Sequence, residues 1–209
     1  ELDLRLVALH VSRALALMHA RGLAHMDVKP ANVLVSYGPP PVAAFMTGLV
    51  SSDLGARGGR GPSGVAASDL PDRTAPPHMP TYKLGDLGMA QPLDAVTYDE
   101  GDVRYIPLDI LNNVTGPEVL SRGDVFMLGL TLFEAASGSP LPTTGPEFEA
   151  LRNGNAPLDE KMTQCSPKFR AIVRSMLAPD AHERPSAAEL AVHPLLVSAE
   201  PAVWKELGL

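Results

Sequence analysis

Between His25 and Asn32 the chain reads His-Met-Asp-Val-Lys-Pro-Ala-Asn, which sets an acid (Asp27), an ammonium (Lys29) and a carboxamide (Asn32) within six positions. A carboxylate can take the proton of an attacking hydroxyl, and a lysine can offset charge on a group in transfer. An amide oxygen can serve a hard cation. Taken alone, Asp, Lys and Asn are ordinary turn residues, and the stretch also reads as a polar loop between a helix and a strand. A second acid shifts the balance. Asp86 stands between glycines in Gly85-Asp86-Leu87-Gly88, just past a run that reads as a strand. If the flanking runs pair, Asp86 arrives beside the Asp27 loop. Two carboxylates, an amide and an ammonium at one edge suit a magnesium–polyphosphate site, since Mg2+ takes oxygen ligands and is usually held by one or two carboxylates.

The elements that must position these groups are legible on either side. Residues 2–19 place Leu4, Val7, Val11, Leu15 and Met18 at steps of three and four, which predicts one face of a helix. Arg21 and Gly22 follow at its C-terminal end, where a cation suits the helix dipole and glycine suits the cap. Val33–Val35 reads as a short strand, and a second begins near Thr81. Between them, residues 36–80 are rich in Pro, Gly, Ser and Ala without periodicity, which predicts a disordered insertion across a hairpin. Such a loop adds little closure cost, because that entropy grows only logarithmically with length. Downstream, residues 123–138 are apolar nearly all round, as in a buried central helix ended by Gly138. Residues 145–154 predict a shorter helix. Two more follow at 166–177 and 186–196, each opened by a serine in an N-cap role. The fold class is mainly α with one small β-hairpin.

Composition narrows the function. With 17 Lys and Arg against 24 Asp and Glu, the net charge of −7 argues against a nucleic-acid binder, and the scattered basic residues form no membrane-binding patch. A single cysteine, Cys165, allows no internal disulfide, which fits a reducing compartment. The 209 residues, 45 % of them hydrophobic, suffice for a real core.

These motifs resemble those of protein kinases. His25-Met26-Asp27, Lys29 and Asn32 match the catalytic loop, and Asp86-Leu87-Gly88 matches the Asp-Phe-Gly motif with Leu for Phe. The resemblance runs from the first helix to the His182–Leu196 stretch, and the downstream helices keep the same order. Within kinases the chain is most similar to the Wee family of mitosis inhibitors. Four features carry this: the His-Met-Asp triplet, Leu87, Glu100-Gly101-Asp102-Val103-Arg104-Tyr105, and the Leu141–Leu158 segment with Phe148.

The resemblance implies an ATP- and Mg2+-dependent phosphotransferase. Asp27 would accept or orient the acceptor proton, Lys29 would reach the γ-phosphoryl group, and Asn32 and Asp86 would hold Mg2+. His25 would pack beneath the site, Asp124 would anchor the catalytic-loop backbone, and Asp109 and Arg184 would form a buried pair. Asp124 also reads as opening the central helix, where an acid suits the dipole. Asp109 stands where the family carries Glu, so a lengthened or reorganised pair is expected. Met26 replaces an Arg that in many kinases pairs with a phosphorylated activation segment. The partner implied is a protein substrate, a cyclin-dependent kinase with a tyrosine acceptor, and the location implied is the nucleus. Lys29 after Asp27 is the serine/threonine pattern, so a generic serine/threonine kinase and a non-catalytic scaffold lobe stay open as alternatives.

No Gly-x-Gly-x-x-Gly loop and no Val-Ala-x-Lys strand precede the first helix, and Gly55–Gly61 lacks the frame of a phosphate loop. The chain begins at Glu1 inside a helical pattern. It is expected to be the larger, C-terminal lobe over residues 1–197 with a tail at 198–209, the N-terminal lobe being absent, and to be inactive by itself.

Overall fold

Leucine and alanine dominate Leu2–His19, good helix formers that give α1 its 18 residues. A computed structural model of the chain describes residues 1–38, 79–95 and 101–200. The buried set on α1 is Leu6, Ala8, Leu9, Val11, Ser12 and Leu15, so only Val11 and Leu15 of the expected stripe are fully enclosed. Leu4, Val7 and Met18 are half-buried. The stripe is wider than a single face because α1 is covered on several sides by later elements. Its end behaves as expected: Arg21 Nη1 donates to Leu17 O at 3.3 Å, and Gly22 takes the left-handed conformation at φ 74°.

Two strand pairs follow instead of one. β1 (Leu23–Ala24) pairs antiparallel with β4 (Gln91–Pro92), a ladder that the sequence reading missed. β2 (Val33–Gly38) pairs with β3 (Met79–Leu84) in the register Val33↔Leu84 through Gly38↔Met79. The supposed insertion at 36–80 therefore starts and ends inside a ladder. Residues 39–78, including the Gly55–Gly61 run, lie outside the described residues.

The helical body comprises α2 (Leu108–Leu111), α3 (Pro117–Ser137), α4 (Pro146–Arg152), α5 (Leu158–Lys161), α6 (Pro167–Met176), α7 (Ala187–Ala191) and α8 (Pro194–Val197). α3 is the central helix and runs six residues further upstream than expected. Gly116 is its N-cap, Pro117 takes the first turn where a missing N–H costs nothing, and Gly138 at φ 67° closes it. It buries residues on every side between Val119 and Phe133. α1 packs on α3, α7, α8 and β3, and α6 packs on the far side of α3.

Local signals set the later helices. Ser166 Oγ accepts from Phe169 N at 3.3 Å, and Ser186 with Glu189 forms a reciprocal capping box. The expected single helix over 186–196 is two, because Pro194 cannot continue the first, and His193 caps the second. Past α8, Ala199 is fully buried with Leu6, and Glu200 meets Arg13 at 2.7 Å. Residues 201–209, with the remainder of the expected tail, lie outside the described residues. Among those described, no helix is long and apolar enough to cross a membrane.

Candidate active site

The 25–32 loop leaves β1, passes through a single 3-10 turn at Pro30–Asn32, and enters β2. Its acid and base meet at once: Lys29 Nζ lies 2.8 Å from Asp27 Oδ2. Asn32 Nδ2 donates to that same oxygen at 2.9 Å and to the Asp27 carbonyl at 2.8 Å. Asp27 and Asn32 are each 7 % exposed, and Lys29 is half-buried. The carboxylate is thus oriented by two donors and sits in a wall of the lobe.

Asp124 holds this loop from below. It is fully buried, and its two oxygens accept from His25 N and Met26 N, both at 2.8 Å, while His19 Nε2 lies 2.9 Å from Oδ2. Three donors compensate a charge that would otherwise be costly to bury. The anchoring matters because Met26 has φ 64°, a left-handed conformation that non-glycine residues adopt only when their surroundings impose it. The dipole reading of Asp124 is corrected here. It lies two turns inside α3, too deep for the helix end to act on it, and hydrogen bonding explains its presence.

His25 ties the two motifs together. Its Nε2 lies 3.1 Å from Gly85 O, a bond that requires the proton on Nε2, and its Nδ1 accepts from Asp27 N at 3.3 Å. Gly85 N in turn donates to Asn32 O at 2.9 Å, one step beyond the β2–β3 ladder. Gly85 is therefore gripped through both its backbone groups by the 25–32 loop. The next residue, Asp86, is exposed at φ 59°, and its Oδ1 accepts from Gly88 N at 3.1 Å. Asp27, Lys29 and Asn32 are joined directly, Asp86 follows the glycine that their loop grips, and His25 is a buried support beneath that loop.

A segment that sequence reasoning flagged only by resemblance forms the facing wall. Residues 96–100, with Glu100, lie outside the described residues, but Gly101 onward is placed. A Cβ on Gly101 would stand 2.6 Å from Met26 O and 3.2 Å from Asp27 Oδ1, so only glycine lets the segment approach this closely. Asp102 pairs with Arg104 at 2.5 Å, and that guanidinium holds its carboxyl below the usual range. Tyr105 is buried and donates to Glu134, with burial first and Glu134 second in pushing its phenol upward. Arg152, noted in the sequence only as part of an Arg-x-Gly in the Leu141–Leu158 segment and given no role there, reaches this segment from α4.

The buried pair is present. Arg184 Nη2 lies 2.7 Å from Asp109 Oδ2, an ordinary ion-pair distance. Of the expected lengthened or reorganised pair, the lengthening is corrected, since the shorter carboxylate still reaches, while Asp109 Oδ2 meets the guanidinium at ion-pair distance without hydrogen-bond alignment.

A helical lobe with a catalytic-loop carboxylate, an adjoining amide and a glycine-flanked acid just past a paired strand defines the large lobe of a protein kinase fold. The protein kinase domain family matches residues 1–196, and the chain belongs to that family. It is 32 % identical over 211 residues to a Wee1-like protein kinase of Drosophila melanogaster, covering all of this chain and 32 % of the relative. It is 31 % identical over 197 residues to a Wee1-like protein kinase of Oryza sativa subsp. japonica, with 94 % and 29 % covered. It is also 33 % identical over 210 residues to Wee1-like protein kinase 2 of Gallus gallus, with all of this chain and 32 % of the relative covered. The chain thus spans about a third of the length of these curated relatives. Among solved structures, the Rad53 kinase domain with SCD2 superposes at TM-score 0.60 and 18 % identity, covering 93 % of this chain and 57 % of that one. The same domain in complex with AMPPNP gives 0.60 at 17 % identity, with 93 % and 59 % covered.

Proposed function

We propose that this chain is the larger lobe of an ATP-dependent kinase of the Wee type, which transfers the ATP γ-phosphoryl group to a protein hydroxyl. The reading rests on one observation: Gly85, the residue before Asp86, is bonded through both its backbone groups by the loop that carries Asp27, Lys29 and Asn32, which supports a shared site. The donor chemistry suits Mg2+. Asn32 commits its amide nitrogen to Asp27, leaving its amide oxygen as a hard donor, and Asp86 offers an exposed carboxylate steadied by Gly88. Asn32 and Asp86 would hold the ion, which would supply charge neutralisation to nucleotide phosphates.

Asp27, held by Asn32 and Lys29, takes the proton of the acceptor hydroxyl as it attacks. Lys29 offsets charge on the transferring group. Asp124 and His25 hold the loop that carries both. A tyrosine of a cyclin-dependent kinase is the acceptor this reading favours, and a nuclear location goes with it; both are supported by the Wee1-like relatives. The Lys29–Asp27 contact keeps the serine/threonine alternative in view, because lysine at this spacing is the pattern of those enzymes. Retention of Asp27, Lys29, Asn32 and Asp86 speaks against a scaffold-only lobe. The 209 residues alone, lacking a glycine loop and strand lysine, are expected to transfer no phosphate.

The test is phosphotransfer by the full-length protein to a purified cyclin-dependent kinase, with Asp27→Asn as control. Phosphotyrosine that vanishes in the control supports the reading. Phosphoserine or phosphothreonine alone moves it to the alternative, and label incorporated equally by both proteins refutes it.

Met26 adds a regulatory expectation. Its side chain is uncharged and fully buried, so it offers nothing to a phosphorylated activation segment. Phosphatase treatment of the full-length protein should leave turnover unchanged. Loss of most of the activity would show that phosphate acts there through another group.

A further inference from the structure

Arg152 closes α4 with 1 % of its surface exposed, and among the described residues no carboxylate pairs with it. Its guanidinium donates instead to backbone carbonyls: Nε to Ile106 O at 2.9 Å, and Nη2 to Val103 O at 2.9 Å and Arg104 O at 2.8 Å. Nη1 turns back to Phe148 O at 3.1 Å, and the guanidinium carbon lies 3.5 Å from the Phe148 ring centroid. Burial pushes the guanidinium down to about 10, which still leaves it charged at neutral pH. A cation enclosed with only backbone carbonyls and one aromatic face for company is an expensive way to fill space. An apolar side chain would fill it more cheaply, but none could bind three carbonyls of one short segment. Lysine could not do so either, because only the planar fork presents several donors at fixed angles.

The bound segment is the one whose other end touches the site. Gly101 lies against Met26 O and Asp27, with no room for a side chain between. Residues 101–106 are therefore pinned at two points, the catalytic loop and Arg152, with Asp102 and Arg104 paired between them. Val103 leaves its side chain exposed on this stretch.

We infer that Arg152 is a positioning residue for the protein acceptor, fixing residues 103–106 relative to Asp27 so that an incoming side chain meets the carboxylate. The inference rests on the kinase reading above and gives it an acceptor-side determinant. The hydrogen bonds of Arg152 go to residues 103–106 and Phe148 and none to Lys29, Asn32 or Asp86, so its effect should fall on the acceptor and not on ATP. In the full-length protein, Arg152→Lys should raise KM for the protein acceptor about tenfold or more while KM for ATP stays within about twofold. Amide hydrogen exchange at residues 103–106 should quicken while that of residues 124–132 in α3 does not. Arg152→Met leaves the three carbonyls without any donor and is the harsher variant; if it fails to fold, Arg152→Lys, checked by its melting temperature, carries the test. A folded Arg152→Lys protein with unshifted acceptor KM, or with both KM values raised alike, overturns the inference while the kinase reading stands. Wild-type protein that phosphorylates no acceptor removes both.

Discussion

Arg184→Ala is expected to lower the stability of this lobe by about 3–5 kcal/mol, the cost of orphaning one member of a buried pair. For a domain of this size the melting temperature falls by about 2–4 °C for each kcal/mol, so the shift is on the order of 10 °C. The Arg184 side chain has no exposed surface. It pairs with Asp109 at 2.7 Å and donates to Ala178 O at 2.7 Å, Pro179 O at 2.8 Å and, more distantly, Arg122 O at 3.5 Å. Its guanidinium carbon lies 4.9 Å from the Phe126 ring centroid. Truncation thus removes a cation from a carboxylate that is only 14 % exposed, strips donors from three carbonyls, and opens a cavity beside α3. The loss measures the damage of leaving Asp109 alone, not the worth of the pair. Removing both charges separates the two quantities: Arg184→Met with Asp109→Leu should be less destabilised than Arg184→Ala, because no buried charge is left without a partner. An Arg184→Ala protein that melts at the wild-type temperature would mean that the pair does not help to hold α2 to the lobe.

What could be read from the sequence was what depends on neighbours in sequence. α1 has the bounds that its periodicity predicts, and the caps at Ser166, Ser186 and Gly138 act where they stand. The β2–β3 pairing was legible despite the long stretch between, because each strand leads into a polar motif that makes sense only beside the other. The β1–β4 ladder was not, since two-residue strands carry no period. The start of α3 was misplaced because Pro117–Arg122 mixes polar and apolar residues, and Gly116-Pro117, the true start signal, also reads as a turn. Pro194 was passed over inside an apolar run that otherwise suits one helix.

In the site, the residue types of the 25–32 loop and Asp86 were enough to nominate them. Their supports were harder. Asp124 acts through two backbone N–H groups about a hundred residues away in sequence, a relation that only the fold reveals and that the kinase resemblance anticipated. Arg152 and Gly101 were missed as contacts. A guanidinium bound to carbonyls has no complementary residue in the sequence to betray it, and a glycine chosen for close approach looks like any loop glycine.

Asp27→Asn in the full-length protein should reduce phosphotransfer by about 10²–10⁴-fold, the usual contribution of a positioned general base. That corresponds to about 3–5 kcal/mol of transition-state stabilisation. The substitution is nearly isosteric and keeps one side-chain oxygen, which can still accept from Asn32 Nδ2. The bond from Asn32 to the main-chain carbonyl of position 27, at 2.8 Å, is untouched. Loop geometry should therefore survive, with an unchanged melting temperature and unchanged exchange in the 25–32 amides. What disappears is the negative charge that draws Lys29 to 2.8 Å and can receive a proton. Lys29→Met separates those two roles. It leaves the carboxylate in place, so its defect should fall on the charge of the transferring group and not on proton acceptance. If the Asp27→Asn protein keeps its rate within about tenfold while remaining folded, Asp27 serves only to orient its neighbours, because a lost general base costs more than that. The proton of the acceptor would then have to leave by another path.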